Sequence, residues 1–259
     1  MKWFLLLLAS VVPWSGLFAQ EGYDFSRFKN ETVEFIKTPL TWDGGDWLKL
    51  GVLAGGTFLV MRTVDQPVRN AVIRGGQQYF NSVPIEGGRI YGDFYTPAIC
   101  LSGYAIYSAA TGDQGARKIA YEIGQSALYA GAITLALKVA VGQARPYTNE
   151  GVASFRPFTF LTNEAYQSFP SGHTAMAFAL STVLSRNAGP AWLKVLAYAP
   201  ALFTPVSRVY QNQHWVSSTL FGGILGYAVA TWVVDRHEEG DSKVQLESIY
   251  PLKLRIALN

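Results

Sequence analysis

Apolar and polar residues follow one another along this chain in runs with helical spacing. From Asp46 onward, apolar runs are separated by polar breaks that carry glycine or proline. The pattern predicts helices at 46–62, 66–82, 94–110, 115–142, 172–187, 191–206 and 214–235. Strand signals are confined to the tail, where partial alternation from Val244 to Leu258 predicts one extended segment.

This pattern predicts a single all-α domain, since no repeat, linker or low-complexity tract divides the chain. We expect a helical bundle of about six core helices at 46–240, with an apolar character compatible with crossing a membrane. A lead-in segment at 20–45, irregular or with a short helix, comes before the bundle, and a tail at 241–259 follows it.

The first nineteen residues have the order of an export signal. Lys2 provides the positive start, Phe4 to Val12 the apolar stretch, and Gly16 to Ala19 the small-residue exit. An uncleaved anchor at 1–19 is the alternative interpretation. Both interpretations place the following chain beyond the inner membrane, in the bacterial cell envelope.

Composition narrows the class of protein. Apolar residues make up 49% of the 259 residues and charged residues 15%, where about 25% is usual. The formal net charge of +3 is small and spread out, which excludes a nucleic-acid partner. The single cysteine, Cys100, excludes an internal disulfide framework.

Charge distribution leaves the number of membrane spans open. The uncharged run from Trp215 to Val234 is long enough to span a bilayer. Basic residues fall in alternate connections, as expected of cytoplasmic loops, which would put the loops after 142 and 206 outside. Six spans after a cleaved signal would put those loops inside, so the two arguments disagree. The basic residues are Arg117, Lys118, Arg186, Lys194 and Arg236.

The first of three reactive clusters joins Lys138 to Arg145. Seven residues make two helical turns, so both cations lie on one helix face, and Pro146 then ends the helix. Cations leaving an apolar helix are costly unless an anion meets them. Salt-bridged or snorkelling side chains are the alternative interpretation.

The second cluster is Pro170-Ser171-Gly172-His173, which opens the predicted helix at 172–187. A helix start directs free N–H groups and a positive dipole end to one point, which suits a phosphate. His173 at this position could donate a proton to a departing oxygen. A simple serine helix cap beside a histidine is the alternative.

The third cluster is Ser207-Arg208, followed after five residues by His214. Arg208 can bind phosphate oxygens in bidentate fashion. Of the three histidines, only His237 lies outside these clusters, in a charged segment that we interpret as a solvated helix end. The sequence contains no H-E-x-x-H motif, no cysteine pair and no acidic run near His173 or His214, so we predict no metal site.

Together the clusters resemble the type 2 phosphatidic acid phosphatase and haloperoxidase superfamily, whose pattern is K-x6-R-P, then P-S-G-H, then S-R-x5-H-x3-D. The motif region covers residues 138 to 218, and the helical surroundings at 94–235 fit the family's all-α bundle. Ten residues match in order: Lys138, Arg145, Pro146, Pro170, Ser171, Gly172, His173, Ser207, Arg208 and His214.

The resemblance implies a metal-independent phosphatase. His214 would attack phosphorus and form a phosphohistidine, and His173 would protonate the leaving oxygen. No cofactor is implied, although vanadate could bind as a phosphate mimic. The phosphate oxygens would be bound by Lys138, Arg145, Ser171, Gly172 and Arg208.

The family's aspartate, four residues after the nucleophile, is Ser218 here. One helical turn still brings this side chain to the His214 ring, where a hydroxyl can accept the ring N–H but carries no charge. Loss of the comparable aspartate in a serine-protease triad costs about 10⁴ in rate. We therefore expect Ser218 in the catalytic group, with reduced turnover.

The leading functional hypothesis is an inner-membrane phosphatase with its active site facing the periplasm. Its substrate would be a phosphorylated lipid, such as phosphatidate, phosphatidylglycerol phosphate or a polyprenyl diphosphate. The alternatives are a soluble periplasmic acid phosphatase acting on small phosphoesters, a vanadate-using haloperoxidase, and a phosphate or phospholipid binder derived from an enzyme. The sequence does not indicate an oligomeric state.

Overall fold

The computed structural model describes residues 23–159 and 162–238, together with the backbone of two strands in the tail. The predicted signal at 1–19 lies outside the described residues. Ten α-helices run through the described part: α1 (Phe25–Lys37), α2 (Gly44–Thr63), α3 (Asp65–Arg74), α4 (Val83–Tyr91), α5 (Tyr95–Thr111), α6 (Gln114–Val141), α7 (Gly172–Asn187), α8 (Ala191–Leu196), α9 (Ala199–Tyr210) and α10 (Val216–Glu238).

Short polar side chains begin the longer helices. Asp43 starts α2 with a capping box, in which its side chain accepts from the Asp46 backbone N–H at 2.9 Å. Asp113 starts α6 in a similar way, accepting from the Ala116 N–H at 2.9 Å. Because these caps satisfy N–H groups that a helix leaves open, they fix where each helix begins.

The core lies where α6, α7 and α10 pack together. Its fully buried side chains come from these three helices: Ile123, Tyr129, Ala130, Ala179, Leu180, Val183, Val229, Ala230, Val233 and Val234. Small residues dominate the contact between α7 and α10, which lets the two backbones approach closely. A methyl group on Gly226 would lie 2.1 Å from the Ala175 carbonyl oxygen, so only glycine fits there.

A second close contact along the same helix pair bears on function. A methyl group on Gly222 would lie 2.5 Å from the carbonyl oxygen of Ser171. The start of α7 and the second turn of α10 therefore touch backbone to backbone. This contact sets the two predicted histidine clusters side by side.

The outer helices present apolar side chains outward. Trp47, Leu48 and Phe58 on α2, and Ile99 and Ile106 on α5, are all exposed. Helices α6 and α10 are long and apolar enough to cross a membrane, and α2 with α3 forms a third candidate bent by 43°. Large apolar side chains exposed on helices of this length are typical of proteins that contact lipid.

The predicted helices at 46–62, 94–110, 115–142, 172–187 and 214–235 correspond to α2, α5, α6, α7 and α10, so the all-α prediction is confirmed. The prediction of a helix at 66–82 was wrong in length, because α3 ends at Arg74 before Gly75 and Gly76, and Gly76 has φ of +72°. The predicted helix at 191–206 is two helices, α8 and α9.

One helix and the form of the tail were not predicted from the sequence pattern. Helix α4 is short and carries Pro84, Gly87 and Gly88, which are typical of breaks. Helix α1 lies in the lead-in segment, for which a short helix was one of the two expectations. The tail is a pair of strands, β1 (Val244–Ile249) and β2 (Leu252–Ile256), which pair antiparallel with Val244 opposite Ile256. The prediction of one extended segment was therefore wrong.

The interpretation of His237 as a solvated helix end was also wrong. Its side chain is fully buried, with Nδ1 3.1 Å from Glu122 Oε1 and Nε2 3.3 Å from Glu31 Oε2. Glu122 comes from α6, and Glu31 comes from α1, which folds back over this end of the bundle. Gln125 also donates to Glu31 at 2.9 Å. The segment looks solvated in sequence because these partners lie more than a hundred residues away.

Replacing His237 with leucine should destabilise the bundle by about 3 kcal/mol, because Glu31 and Glu122 would lose a buried partner. Thermal unfolding of the purified protein measures the change. Arg236→Leu is the matched control, since Arg236 lies beside His237 but pairs with Glu34 at the surface, at 3.6 Å. That control should cost less than about 1 kcal/mol. Equal losses in the two variants would contradict the structural role of the buried cluster.

Candidate active site

The three sequence clusters meet at one end of the bundle. Lys138 lies in the last turn of α6, and Arg145 follows in the loop after it. Ser171 caps the start of α7, and Arg208 lies in the last turn of α9. His214 lies two residues before α10, which begins at Val216. Helix ends that are far apart in sequence thus converge on one place.

Backbone contacts between loops fix this arrangement. The Ser171 N–H donates to the Ser218 carbonyl at 2.9 Å, which ties the start of α7 to the first turn of α10. The indole of Trp215 is buried and donates to the Ala144 carbonyl at 2.8 Å. Trp215 follows His214 directly and Ala144 precedes Arg145, so the nucleophile candidate and the first cluster are joined at fixed distance.

Each cationic side chain of the site donates to a neutral oxygen. Lys138 Nζ donates to the carbonyl of Gln167. Arg145 donates to the Glu164 carbonyl at 3.1 Å and to Gln213 Oε1 at 2.6 Å. Arg208 donates to Gln211 Oε1 at 2.7 Å. In the described part of the chain none of these three cations forms a salt bridge, so their positive charge is not cancelled.

Arg208 carries a further sign of an anion site. Its guanidinium is buried, with 6% of the residue exposed, and Nε has no hydrogen-bond partner among the described residues. A buried N–H without an acceptor is costly and uncommon. A phosphate oxygen is the acceptor that a guanidinium fits best.

The start of α7 combines a helix cap with an open donor. Ser171 Oγ accepts from the Thr174 backbone N–H at 3.4 Å and from the Thr174 hydroxyl at 3.0 Å. Both contacts use its lone pairs, so its own O–H proton remains for another acceptor. A methyl group on Gly172 would lie 3.9 Å from Lys138 Cε, so the glycine packs against the lysine. The cap interpretation and the phosphate interpretation are therefore compatible.

The His214 ring has a defined tautomer. Its Nδ1 lies 2.7 Å from the carbonyl oxygen of Ser168, and the residue is buried. A carbonyl can only accept, so Nδ1 carries the proton and Nε2 carries the lone pair. Nε2 is thus the nitrogen that can attack an electrophile.

Burial and positive charge keep both site histidines neutral. Burial, followed by the charges of Lys138, Arg145 and Arg208, lowers the pKa of His214 well below its ordinary value. Burial, followed by Arg208, Arg145 and Lys138, lowers the pKa of His173 to about 3. Each histidine thus lies within electrostatic range of all three cations. An anion among these cations would oppose their effect and raise both pKa values.

Comparison with known families matches this arrangement. Residues 120–239 match the family model of the PAP2 superfamily. The match spans a little under half of the chain, 120 of its 259 residues, and includes every predicted site residue. The resemblance found in the sequence motifs is confirmed.

Two curated PAP2 relatives align with parts of the chain. It is 41% identical over 76 residues to the lipid A 1-phosphatase of Porphyromonas gingivalis, covering 27% of this chain and 17% of that protein. It is 29% identical over 129 residues to the undecaprenyl-diphosphatase of Sulfolobus acidocaldarius, covering 47% of this chain and 55% of that protein. The chain therefore spans 17% of the length of the first relative and 55% of the length of the second.

A solved structure shares the PAP2 fold. The transmembrane PAP2-type phosphatidylglycerolphosphate phosphatase from Bacillus subtilis superposes with a TM-score of 0.51 at 18% identity. The match covers 74% of this chain and 94% of that one. It supports the helical bundle assigned here.

This chain differs from the PAP2 motif at one position, where it has Ser218 instead of the aspartate. Ser218 Oγ lies 3.4 Å from His214 Nδ1 and donates instead to the Trp215 carbonyl at 2.9 Å. The Ser168 carbonyl is the nearer acceptor for the ring. No sequence motif indicates this contact, because a backbone carbonyl carries no residue signature.

A buried carboxylate supports the start of α10 from one side. Asp65, 1% exposed, accepts from the Ser217 backbone N–H at 2.8 Å and from the Ser217 hydroxyl at 2.5 Å. These bonds fix the first turn of α10 beside His214. No sequence motif indicates Asp65, which stands 152 residues before Ser217. Among the described residues, no group of three His, Cys, Asp or Glu side chains has metal-binding geometry.

Ser218→Asp should change kcat/KM by less than about tenfold, because the Ser168 carbonyl already fixes the His214 tautomer. Steady-state assays with a lipid phosphomonoester measure the change. Ser218→Ala is the matched control and should stay close to wild type. A gain of about 10³-fold or more in Ser218→Asp, the scale of a missing triad carboxylate, would contradict the role given to the carbonyl.

Proposed function

We propose that this chain is a phosphatase that cleaves a phosphomonoester or diphosphate of a lipid without a metal ion. The observation that carries the proposal is the set of uncancelled cations around the His214 ring. Lys138, Arg145 and Arg208 each donate to neutral oxygens, so the site has a net positive charge. Their charges can neutralise a phosphate dianion directly.

In the proposed first step, His214 Nε2 attacks phosphorus, in line with the leaving oxygen. A P–N bond forms as the P–O bond to the lipid breaks, and the leaving oxygen takes a proton donated at His173. The phosphate dianion must raise the pKa of His173 for this ring to hold that proton. The proton stays on Nδ1, which donates to the Ser168 carbonyl, and this hydrogen bond stabilises the charged phosphohistidine.

In the second step, water replaces the histidine. His173, now neutral, takes a proton from the water as its oxygen attacks phosphorus, and the P–N bond breaks. Inorganic phosphate and free His214 are the products. Three cations hold the equatorial oxygens in both steps, so the same groups stabilise both transition states.

A lipid substrate is supported by an apolar groove near the site. The groove, of about 280 Å³, runs between α4 and α9, the helix that carries Arg208 in its last turn. An acyl or prenyl chain fits such a surface, while the phosphate reaches the cations beyond it. The names of the two relatives, a lipid A 1-phosphatase and an undecaprenyl-diphosphatase, support the same substrate class. The groove is lined by Pro84, Gly87, Gly88, Tyr91, Pro200 and Phe203.

The proposed location is the inner membrane, with the site facing the periplasm. Arg117 and Lys118 lie at the start of α6, and Arg186 and Arg236 lie at the ends of α7 and α10, all at the end of the bundle opposite His214. Basic residues concentrate on the cytoplasmic side of membrane proteins. This distribution supports the orientation expected from the loops after 142 and 206.

Phosphate release by the purified full chain in mild detergent tests the function. We expect release from phosphatidate, phosphatidylglycerol phosphate or a polyprenyl diphosphate, with no loss on adding a chelator. Orthovanadate should inhibit competitively, as a phosphate mimic. Loss of activity with the chelator would contradict the metal-independent reaction.

The same preparation separates the alternatives. Equal turnover of small phosphoesters, with release of the protein into the soluble fraction after osmotic shock, would favour a periplasmic acid phosphatase. Phosphate binding without release would favour a binding protein, for which Ser218 is the best argument. Halide oxidation by the vanadate-loaded protein would favour a haloperoxidase.

A further inference from the structure

Two glutamines stand in the five residues between Arg208 and His214, and each contacts one of the site arginines. Gln211 Oε1 accepts from Arg208 at 2.7 Å, and Gln213 Oε1 accepts from Arg145 at 2.6 Å. The family pattern leaves these five positions unspecified. The two contacts are therefore a property of this chain that the motif does not describe.

The amide of Gln211 has only one orientation that satisfies its neighbours. Its Nε2 donates to Glu86 Oε1 at 2.6 Å, and Glu86 in turn binds Arg89 at 2.7 Å. A carboxylate only accepts and a guanidinium only donates, so a side chain that bridges them needs a donor at one end and an acceptor at the other. Glutamine provides both. The carboxylate of Glu86 is thus kept one residue away from Arg208.

Neutral acceptors have a particular value beside a phosphate site. A carboxylate in contact with Arg208 or Arg145 would orient the guanidinium but also cancel its charge and compete with the phosphate. An amide oxygen orients the guanidinium and leaves its full charge for the ligand. Both arginines are oriented in this second way, by glutamines of the loop after α9.

We propose that Gln211 and Gln213 are positioning residues, which orient Arg208 and Arg145 toward the phosphate of the substrate without neutralising them. The inference rests on the proposed function, since it assumes that the arginines bind phosphate. It predicts that charge at these positions, more than shape, determines the affinity of the site for phosphate.

Gln213→Glu tests the inference, because it keeps the size and the acceptor oxygen and adds one negative charge. We expect the inhibition constant of inorganic phosphate to rise about 10- to 100-fold, the scale of one charge-assisted hydrogen bond. KM should rise with it, and the thermal midpoint should not fall, because the new carboxylate pairs with Arg145. Gln213→Met, which removes the acceptor without adding charge, should give a smaller rise.

Gln114→Glu is the matched control. It makes the same change at the other end of α6, which lies about 36 Å from Lys138 at 1.5 Å per residue, and should leave the phosphate inhibition constant unchanged. Gln211→Met provides a second test, with a lower kcat from a loosened Arg208. An unchanged phosphate inhibition constant in Gln213→Glu would overturn the inference.

Calorimetric titration with inorganic phosphate distinguishes failure of this inference from failure of the proposed function. A wild type that releases no phosphate from lipids, yet binds phosphate more tightly than Gln213→Glu, overturns the function and supports the positioning role. If the wild type and Gln213→Glu hydrolyse lipids at the same rate and bind phosphate with the same affinity, the function is supported and the positioning role is overturned. Absence of phosphate binding in the wild type overturns both.

Discussion

His214→Ala should abolish phosphate release, with kcat lower by at least about 10⁴-fold, the scale seen when a covalent nucleophile is removed. The Ser168 carbonyl fixes the His214 tautomer and leaves the lone pair on Nε2, so the alanine variant lacks the atom that attacks in the proposed reaction. Continuous release assays on a lipid phosphomonoester, with long incubations for the variant, measure the loss.

The variant should still bind inorganic phosphate, because Lys138, Arg145 and Arg208 are unchanged. Thermal stabilisation by added phosphate checks this and shows that the variant is folded. His173→Ala is the comparison. It should lose about 10²- to 10⁴-fold, because a proton donor contributes less than the nucleophile. Wild-type turnover in His214→Ala would contradict the proposed reaction.

Arg208→Ala should lower kcat/KM by about 10³-fold, the loss typical of a buried group that stabilises transition-state charge. Arg208 is the most buried of the three cations, and its Nε has no partner within the described residues. The loss should fall on kcat as well as KM, since the charge on phosphorus oxygens grows in the transition state. Arg208→Lys should recover only part of the activity, because lysine cannot bind in bidentate fashion.

Arg69→Ala is the matched control for this prediction. Arg69 on α3 donates to Asn212 Oδ1 at 3.2 Å and so contacts the same connecting loop from another side. We expect a loss of less than about tenfold. Similar losses in Arg69→Ala and Arg208→Ala would mean that the loop matters only for folding.

The sequence was most informative where residue type and chemistry coincide. Lys138, Arg145, His173, Arg208 and His214 are costly to place in an apolar helical chain without a task, and their spacing matches a known pattern. The structure brings these side chains to one end of the bundle, as the resemblance implied. The spacing could not predict the hydrogen-bond partner of each of these side chains. Those partners are backbone carbonyls and amides, which carry no motif.

Ser218 illustrates the limit of motif reasoning. The missing aspartate suggested a weakened enzyme, because the sequence has no nearby carboxylate to replace it. The carbonyl of Ser168 lies 46 residues before His214 and accepts its Nδ1 proton in the fold. Asp65 adds a buried carboxylate one residue from Ser218, on Ser217, without touching the ring.

The errors in the predicted fold also come from contacts that form only in the tertiary structure. The long apolar periodicities of α6 and α10 were predicted closely, because a core-facing helix of that length has few alternatives. The short α4 carries glycines that pack against neighbouring backbone: a methyl group on Gly88 would lie 2.5 Å from the Phe203 carbonyl oxygen. In the sequence, such glycines indicate breaks between helices. His237 was predicted to be solvated because its carboxylate partners are brought beside it only by the tertiary fold.

Chemical trapping of the intermediate tests the central claim most directly. The full chain in detergent is mixed with a phosphomonoester lipid carrying ³²P in its phosphate, then quenched in alkali within one turnover. We predict a protein-bound label that survives alkali, is released by acid as expected of a P–N bond, and maps to the peptide that contains His214. A label that resists acid, or that maps to another peptide, would contradict the account, as would full activity with no labelled protein.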